Sequence, residues 1–381
     1  MDAARFRAPQ WGRAVSIGGG ASYVAFRPEP LPRDLSLTGP TVLALSEADA
    51  ALGRLAGAGR LLPAPHLLVT PYLAREAVAS SRIEGTQASL SDVFEAAASD
   101  ATPTEDLREV RNYIAAVEHG VARLADVPLS LRLLKECHAI LLSGVRGEEK
   151  TPGELRRSQN WIGSPTGTLA DAAFVPPPEH DLADALGAWE KYIHDPQPQL
   201  PLLVRSALLH YQFETIHPFL DGNGRLGRVF VTLHLLEQQR LTAPLLYLSA
   251  HLERNRDTYY ERLQAVRETG AVQEWLRFFL QAVSTQATDA VERAEELIDL
   301  REEFRSRLRG RRSRAIEVVD LLMGNPVVSV RFVVNHLGIT PQGASLLLRQ
   351  LIDVGVLSGP TTRPGKRARF ECPDLLRVLL R

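Results

Sequence analysis

The segment from residue 217 to residue 228 constrains the fold of this chain most strongly, because it joins a tight turn to a helix. It reads His-Pro-Phe-Leu-Asp-Gly-Asn-Gly-Arg-Leu-Gly-Arg. Pro218 disfavours helical geometry at His217, so the imidazole is predicted to stand where the preceding helix ends. Apolar residues recur at helical spacing from Leu226, and a new helix is therefore predicted to begin at this turn.

The turn has the composition of an anion-binding site at a helix N-terminus. Gly222, Asn223 and Gly224 can adopt positive-φ conformations in which successive N–H groups converge on an anion. The partial positive charge at the start of the next helix adds to this cradle. Arg225 and Arg228, three residues apart, are expected to share one face of the first turn and to hold a polyphosphate.

Two more side chains of the segment suit transfer of a phosphorus-containing group. Asp221 is the one hard oxygen ligand nearby for a Mg²⁺ ion carried by the polyphosphate. His217 is a base whose unperturbed pKa lies near neutrality, as removal of a proton from an attacking hydroxyl requires. The nearest approach to a Walker loop, residues 359–367, has the wrong glycine spacing, so a Walker-type site is not predicted.

The same segment matches every fixed position of the Fic signature, His-x-Phe-x-(Asp/Glu)-Gly-Asn-Gly-Arg-x-x-Arg. The resemblance implies transfer of AMP from ATP, with Mg²⁺, to a Tyr, Thr or Ser hydroxyl of a target protein. It makes His217 the general base and Asp221 the metal ligand. Asn223 and its flanking glycines would then hold the α-phosphate, and Arg225 and Arg228 the β- and γ-phosphates.

Residues 70 to 85 are predicted to form a helix with a carboxylate at its end. Thr70 is the expected N-cap, Pro71 the first helical residue and Gly85 the stop. Glu84 then falls in the last turn, where the helix dipole disfavours an anion. Either water or a cation of the fold must therefore compensate this carboxylate.

Ser80 and Glu84 resemble the inhibitory motif of Fic proteins, whose glutamate pairs with the second arginine of the nucleotide site. Here that arginine is Arg228. The resemblance implies that Glu84 denies Arg228 to the γ-phosphate, so that ATP binds with its α-phosphate out of line for attack. The motif precedes the core in the same chain, and no separate inhibitory protein is expected.

The stretch from residue 160 to residue 178 resembles the Fic flap. Residues 160–163 and 174–175 are predicted to form the two short arms of a hairpin. The resemblance implies that a target protein adds a strand to this flap through main-chain hydrogen bonds. Ile162 is expected over the adenine, whereas Trp161 is equally compatible with plain packing.

Tyr260 and Leu263 lie in a segment that resembles the helix bordering the adenine in Fic proteins. Aromatic and leucine residues at helical spacing are also common in cores. Adenine contact and core packing therefore both remain open for these two residues.

Helical patterns dominate from residue 41 to about residue 300. The predicted fold is mainly α: a Fic-type helical bundle with a β-hairpin flap and a small C-terminal winged-helix domain. The predicted helices span 41–56, 70–84, 89–98, 105–124, 130–143, 181–193, 201–215, 224–239, 253–268 and 271–306.

The chain is expected to divide into four parts. Residues 1–60 form an N-terminal arm and helix, of which the first forty residues are rich in Pro and Gly and predicted to be extended. Residues 61–280 form the catalytic domain, 281–312 a helical linker and 313–381 the winged-helix domain.

The C-terminal part differs from the rest in charge. From residue 311 onward there are 11 Lys and Arg against 5 Asp and Glu, in a chain whose net charge is −1. Segments 329–337 and 341–354 resemble a helix-turn-helix pair, and 360–370 resembles a wing. The predicted recognition helix offers few polar side chains, namely Gln342, Ser345, Arg349 and Gln350. DNA binding, partner docking and homodimer formation all remain open.

Composition excludes several other classes of protein. Hydrophobic residues make up 45% and charged residues 23% of the chain, as in ordinary globular proteins. The N-terminus lacks an apolar signal core and no stretch reaches the length of a membrane span, so a cytoplasmic protein without membrane contact is expected. Cys137 and Cys372 are predicted to be free thiols.

Three functions are compatible with the sequence. The first is an autoinhibited AMP-transferase that modifies a target protein and also itself. The second is a DNA-binding regulator whose Fic core senses a nucleotide, and the third is an enzyme that removes AMP with water positioned by Glu84. The intact signature favours an enzyme, because a sensor does not need His217. Transfer and removal are not separated at this point.

Overall fold

The computed structural model describes residues 1–381 apart from 19–22, 62–64, 100–101, 164–165, 312 and 362–367, and only the main chain of 60–61 and 65–68. Helices dominate the described residues, and their β-structure consists of short antiparallel pairs. The predicted fold class, a mainly α bundle followed by a small helix-turn-helix domain, is confirmed.

The bundle is built around two buried helices that meet at the signature turn. They are α7 (Leu202–Ile216) and α8 (Asn223–Glu237), and nearly every residue of both is buried. The other helices before the C-terminal domain are α1 (Gly39–Leu61), α2 (Pro65–Ile83), α3 (Leu90–Ala97), α4 (Glu105–Arg123), α5 (Leu131–Leu141), α6 (Leu182–Ile193), α9 (Ser249–Arg254), α10 (Arg256–Thr269) and α11 (Val272–Arg307).

Side-chain caps explain several of the helix starts. Ser89, Thr104 and Ser130 each accept a hydrogen bond from an amide in the first turn of α3, α4 and α5. At α3 the carboxylate of Asp92 in turn accepts a hydrogen bond from the Ser89 amide, which completes a capping box. These local signals account for the close agreement between predicted and observed boundaries at these helices.

The predicted start of the inhibitory helix is wrong. α2 begins at Pro65, and Pro71 lies inside it rather than at its first position. Proline has no amide to donate, so the helix loses one main-chain bond there. Burial of Tyr72 and Leu73 immediately afterwards holds the helix together across this point. The opposite end is as expected, since α2 stops at Ile83 and Gly85 has a positive φ of 99°.

The N-terminal arm contains a β-hairpin that was not predicted. Strands β1 (Gly12–Ile17) and β2 (Tyr23–Pro28) pair antiparallel. The amide of Phe26 donates to the carbonyl of Val175 at 2.8 Å, and the rings of Phe26 and Phe174 pack at 5.7 Å. The arm therefore supports the base of the flap.

The predicted helical linker does not form an element of its own. Most of it belongs to α11, which runs unbroken from Val272 to Arg307 and packs along α1. Three residues within the predicted linker, Ala287, Ala290 and Leu297, are buried. The stretch that follows, up to residue 314, connects α11 to the C-terminal domain.

The C-terminal domain has the predicted helix-turn-helix arrangement with a three-stranded sheet in the order β3-β5-β4. Its elements are α12 (Ala315–Gly324), β3 (Val327–Val328), α13 (Val330–Leu337), α14 (Pro341–Asp353), β4 (Ser358–Thr361), β5 (Arg369–Glu371) and α15 (Pro373–Leu380). The tip of the predicted wing, residues 362–367, lies outside the described residues.

Two of the predicted polar contacts on α14 are already engaged within the domain. The side chain of Gln350 accepts a hydrogen bond from Ser313, and the Ser345 hydroxyl donates to the Pro341 carbonyl at 2.9 Å. Gln342 and Arg349 are exposed. The outward face of α14 is therefore less polar than the sequence indicates.

The domain is docked on α3 and also packs against α2. Arg369 forms an ion pair with Glu95, the Asn325 amide group donates to the Phe94 carbonyl at 3.1 Å, and the Ser329 hydroxyl donates to the Ala98 carbonyl at 2.9 Å.

Among the helices that the structure describes, none combines the length and apolar character needed to cross a membrane.

Candidate active site

A cavity of about 770 Å³ lies where the turn between α7 and α8 meets α2, α10 and the flap. Its volume is within the range of ~300–1,000 Å³ that is usual for small-molecule sites. The predicted site residues on its wall are Glu84, Ile162, His217, Asp221, Gly222, Asn223, Gly224, Arg228, Tyr260 and Leu263. Segments far apart in sequence thus converge on one space.

His217 is held in a strained main-chain conformation at the end of α7. Its φ is 49°, in the left-handed region, which costs about 1–2 kcal/mol for a residue with a side chain. The His217 carbonyl accepts hydrogen bonds from Arg156 Nε and Asn160 Nδ2, both at 3.0 Å. Its amide donates to the Phe213 carbonyl at 2.9 Å. These bonds fix the direction in which the imidazole leaves the chain.

The imidazole of His217 is neutral at ordinary pH. Burial lowers its pKa to about 3, and the charge of Arg267 contributes to this decrease. Nδ1 is buried, whereas 18% of the side chain remains exposed, so the ring turns its other edge, with Nε2, toward the cavity. A neutral ring with Nε2 open to the cavity can accept a proton there.

Of the three residues predicted to adopt positive φ after His217, only Gly222 does, because Asn223 and Gly224 already belong to the first turn of α8. The side chain of Asn223 also has a different place. Gly222 has a φ of 73°, and its amide donates to Asp221 Oδ1 at 2.6 Å. Asn223 Oδ1 accepts from the Phe219 amide at 2.9 Å and Nδ2 donates to the Phe219 carbonyl at 2.8 Å. The Asn223 side chain closes the turn, so the anion donors here are the main-chain amides of the first turn of α8.

Arg228 is fully engaged by the end of α2. Its Nε donates to the Ser80 hydroxyl at 2.8 Å, and Nη2 donates to the Ser80 carbonyl at 3.0 Å and to Glu84 Oε1 at 2.8 Å. The Arg228 side chain is 2% exposed and that of Glu84 is 32% exposed. Glu84 thus reaches from the cavity wall to a buried guanidinium.

The pair is reflected in the ionisation of both groups. Burial alone would raise the pKa of Glu84, but the charge and hydrogen bond of Arg228 hold it below its ordinary value. Glu84 in turn raises the pKa of Arg228 against the effect of burial. A Cβ at Gly224 would collide with Glu84 Oε1, so the second glycine of the signature permits this close approach.

Arg225 does not share the cavity with Arg228, and the prediction that the two arginines face one polyphosphate is wrong for this conformation. The Arg225 side chain is buried, with Nη1 3.7 Å from Glu109 Oε2 and Nη2 3.9 Å from Asp221 Oδ1. It is absent from the described cavity wall. The carboxylates of Glu109, which is buried, and of Asp221, which is partly exposed, account for its turning away from Arg228.

Asp221 has the character of a ligand that completes a metal site together with a substrate. The side chain is 42% exposed and lines the cavity, and Oδ1 is occupied by the Gly222 amide. The described residues contain no cluster of three or more His, Cys, Asp or Glu that could hold a metal ion alone. Mg²⁺ commonly binds one or two carboxylates and completes its shell with phosphate oxygens and water, which fits this arrangement.

The flap arms meet as predicted. The amide of Ile162 donates to the Phe174 carbonyl at 2.8 Å, and the Phe174 amide donates to the Ile162 carbonyl at 3.1 Å. Trp161 is 39% exposed on the cavity wall, so plain packing does not describe it. Tyr260 is 38% exposed and Leu263 is buried, and both line the cavity.

Several residues of the site were not found from the sequence. Glu214 and Arg267 line the cavity beside His217, and Arg156 and Asn160 hold its carbonyl. Glu214 lies three residues before the signature. The only sequence signal for its role was the presence of a carboxylate in a helix that is otherwise buried. Buried charged residues at such positions need a partner or a function.

Comparisons with known proteins identify the parts of the chain. Residues 42–122 match the family described as Fic/DOC family N-terminal, 128–235 the Fic/DOC family, and 316–355 the HTH DNA binding domain. Proteins named Protein adenylyltransferase Fic from Culex quinquefasciatus and Aedes aegypti are each 30% identical over 182 residues, which is 47% of this chain. The chain spans about a third (33%) of the length of these relatives.

The fold resembles that of a solved structure, a Fic family protein from Desulfovibrio desulfuricans G20. The match covers 89% of this chain and 97% of the other, with a TM-score of 0.58 and 20% sequence identity. At this identity the likeness concerns the fold. It extends from the bundle into the C-terminal domain, because it covers more of the chain than the bundle alone.

Proposed function

We propose, from the premise that the chain belongs to the Fic/DOC family, that it is an autoinhibited protein adenylyltransferase. It transfers AMP from ATP to a hydroxyl side chain of a target protein, and Glu84 restrains this activity. The observation that carries the proposal is the engagement of Arg228 by Ser80 and Glu84 in the cavity that also contains His217.

The proposed step uses the residues around the signature turn. The target hydroxyl attacks the α-phosphorus of ATP, its proton passes to Nε2 of His217, and pyrophosphate leaves as the new oxygen–phosphorus bond forms. The amides at the start of α8 meet the developing negative charge. Mg²⁺ at Asp221 would neutralise charge on the leaving phosphates.

Inhibition follows from competition for one guanidinium. Arg228 already donates to Glu84 and has to exchange that bond before it can hold a γ-phosphate, while its bonds to Ser80 remain. As long as Glu84 stays in place, its negative charge also faces the incoming phosphates. ATP is then held with its α-phosphate away from the line of attack.

The target is proposed to bind along the flap, residues 160–178. The main-chain pairing of Ile162 with Phe174 forms a short two-stranded platform beside His217. A target segment that adds to this platform would be aligned by main-chain bonds, which makes sequence preference loose. Trp161 and Ile162 would then contact the target or the adenine, and Tyr260 and Leu263 the adenine.

The central test is transfer by the Glu84→Gly variant. The full chain is incubated with ATP labelled at the α-phosphate, Mg²⁺ and cell lysate, and labelled proteins are separated and identified. We expect strong labelling of one or more lysate proteins, and of the chain itself, where the unmodified chain labels weakly. Glu253→Gly is the matched control, since it removes a carboxylate facing Arg82 at 3.7 Å and leaves the Arg228 pair intact.

The same experiment separates transfer from removal of AMP. A labelled target is isolated and returned to the unmodified chain. Release of AMP by that chain, and not by Glu84→Gly, would assign Glu84 to positioning water for removal. Absence of labelling by Glu84→Gly in every lysate tested, with ATP binding intact, would contradict the proposed transfer.

A second function, binding of duplex DNA by the C-terminal domain, is favoured by the match of residues 316–355 to an HTH DNA binding domain. Gln342, Leu346 and Arg349 on α14 are exposed and free of the docking contacts with α3. Binding through phosphates should weaken steeply between low and moderate salt. If binding responds to ATP while no transfer occurs, the regulator with a nucleotide sensor is the better description.

A further inference from the structure

Glu214 is a buried carboxylate that the proposed step does not use. It lies on α7 one turn before His217 and lines the same cavity. Its Oε2 is 3.9 Å from His217 Nδ1. Its Oε1 is buried and has no hydrogen-bond partner among the described residues. Burying an unpaired carboxylate costs free energy, so its presence here needs a structural or functional explanation.

The Nδ1 edge of the His217 imidazole, like Glu214 Oε1, has no strong hydrogen-bond partner among the described residues. His217 Nδ1 is buried and makes no well-directed hydrogen bond within the described part of the chain. Both the carboxylate and the main-chain carbonyl of Glu214 face the ring. When Nε2 takes a proton, the positive charge of the imidazolium is shared with Nδ1–H. This group faces both the main-chain carbonyl of Glu214 and its carboxylate, and of these two acceptors only the carboxylate is charged.

The fold makes room for this carboxylate. A Cβ at Gly227 would lie 2.7 Å from Glu214 Oε1 and 3.3 Å from the ring of His210. Gly227 occupies one of the two unspecified positions between the signature arginines, and glycine within a helix costs about 0.5–1 kcal/mol relative to alanine. The close approach of Glu214 to α8 explains why a glycine is found at this position.

We propose that Glu214 is the positioning residue for His217 in the proposed transfer: its carboxylate orients the imidazole and stabilises the imidazolium formed when the target hydroxyl loses its proton. The proton moves from the hydroxyl to Nε2, while Nδ1 keeps its own proton and directs it at Glu214. No proton reaches the carboxylate. The inference rests on the proposed function and adds to it a residue outside the signature.

The charges around Glu214 determine when it can act. The pKa of Glu214 is raised to about 7, chiefly by burial. The charge of Arg228 on α8 lowers this pKa, that of Glu84 just after α2 raises it, and that of Arg267 on α10 lowers it. The ionised form is the one that stabilises an imidazolium. Its contribution is therefore present above the pKa of Glu214 and is lost as the pH falls through it.

The test measures transfer kinetics in the Glu84→Gly background, which supplies activity, with and without Glu214→Gln. The amide keeps the size of the side chain and removes its charge. We expect kcat to fall about tenfold or more with the KM for ATP changed less than twofold, because binding of the phosphates does not involve Glu214. The rise of kcat with pH should disappear in the Glu214→Gln variant. In the Glu84→Gly background this rise is expected below about pH 7, because the charge of Glu84, which raises the pKa of Glu214, is absent.

Glu237→Gln is the matched control. Glu237 is a carboxylate on α8 outside the cavity that accepts the Leu129 amide at 2.6 Å. Its replacement should leave both kcat and the pH profile unchanged. Glu214→Asp, which keeps the charge but withdraws it from His217, should retain the pH dependence at a reduced kcat.

The outcomes separate this inference from the proposed function. If Glu84→Gly labels nothing, the proposed function fails before Glu214 is tested. If Glu84→Gly is active and Glu214→Gln matches it in kcat and pH profile, Glu214 has no part in the reaction. Should the Gln variant not fold, as judged by its thermal midpoint, an undiminished kcat in Glu214→Asp would overturn the inference instead.

Discussion

Two arginine–glutamate pairs join the N-terminal segment of this protein to later parts of the chain, and they are built for different purposes. Glu84, just after α2, meets Arg228 of the bundle, and Glu95 in α3 meets Arg369 of the C-terminal domain. Both arginines are buried and both glutamates are partly exposed. The first pair opens onto a cavity large enough for a nucleotide, whereas the second lies in a docking interface beside a smaller cavity of about 300 Å³.

The surroundings of each ion pair decide its function. Arg228 has a Ser80 carbonyl and hydroxyl that remain when Glu84 leaves, so a phosphate can replace the carboxylate without stranding a buried charge. Around Arg369 the neighbouring bonds from Asn325 and Ser329 go to main-chain carbonyls of α3 and its end. These contacts hold two parts of the fold together.

Loss of His217 should affect transfer more than any other change, and it should affect ATP binding little. His217→Ala should lower transfer in the Glu84→Gly background by about 10²–10⁴-fold, because a positioned base is lost. ATP binding, measured with a fluorescent analogue, should stay within a fewfold, since Arg228 and the amides of α8 are unchanged. Undiminished labelling by the alanine variant would remove His217 from the mechanism.

A double-mutant comparison tests the exchange of Arg228 between Glu84 and a phosphate. Glu84→Gly should raise transfer by about tenfold or more, equivalent to roughly 1.4 kcal/mol. Arg228→Ala alone should depress transfer, and combining the two should erase most of the gain, because both changes act on one interaction. Additive effects in the double variant would show that Glu84 does not act through Arg228.

Much of the bundle and of the signature turn could be predicted because the signals are local. Pro218 and Gly222 determine the geometry of the turn through their own main-chain preferences, and Ser89 and Thr104 mark helix starts in the same way. The contact between Glu84 and Arg228 followed from a resemblance between motifs. These features depend on few residues, so a short stretch of sequence is sufficient to indicate them.

The features that were missed depend on packing between distant segments. The side chain of Asn223 turns inward to Phe219, and Arg225 turns toward Glu109 of α4, which no spacing within the signature reveals. The start of α2 is another case, since burial of Tyr72 after Pro71 outweighs the local preference for a helix to begin there. The N-terminal hairpin likewise depends on the flap against which it packs.

A change at the Glu95–Arg369 pair should affect the stability of the fold and leave transfer unchanged. Glu95→Gln should destabilise the folded chain by about 1.5–3 kcal/mol, the usual range for a hydrogen bond to a charged group, because it leaves the buried Arg369 without its carboxylate. The measurement is the free energy of unfolding in urea, with Glu317→Gln as control, since Glu317 pairs with Arg314 at the exposed surface. Transfer by the intact folded variant should stay at the low level of the unmodified chain, as the Arg228 pair is untouched. If Glu95→Gln raised transfer as Glu84→Gly is expected to do, docking of the C-terminal domain would be part of the restraint on Glu84, and the two pairs would act as one device.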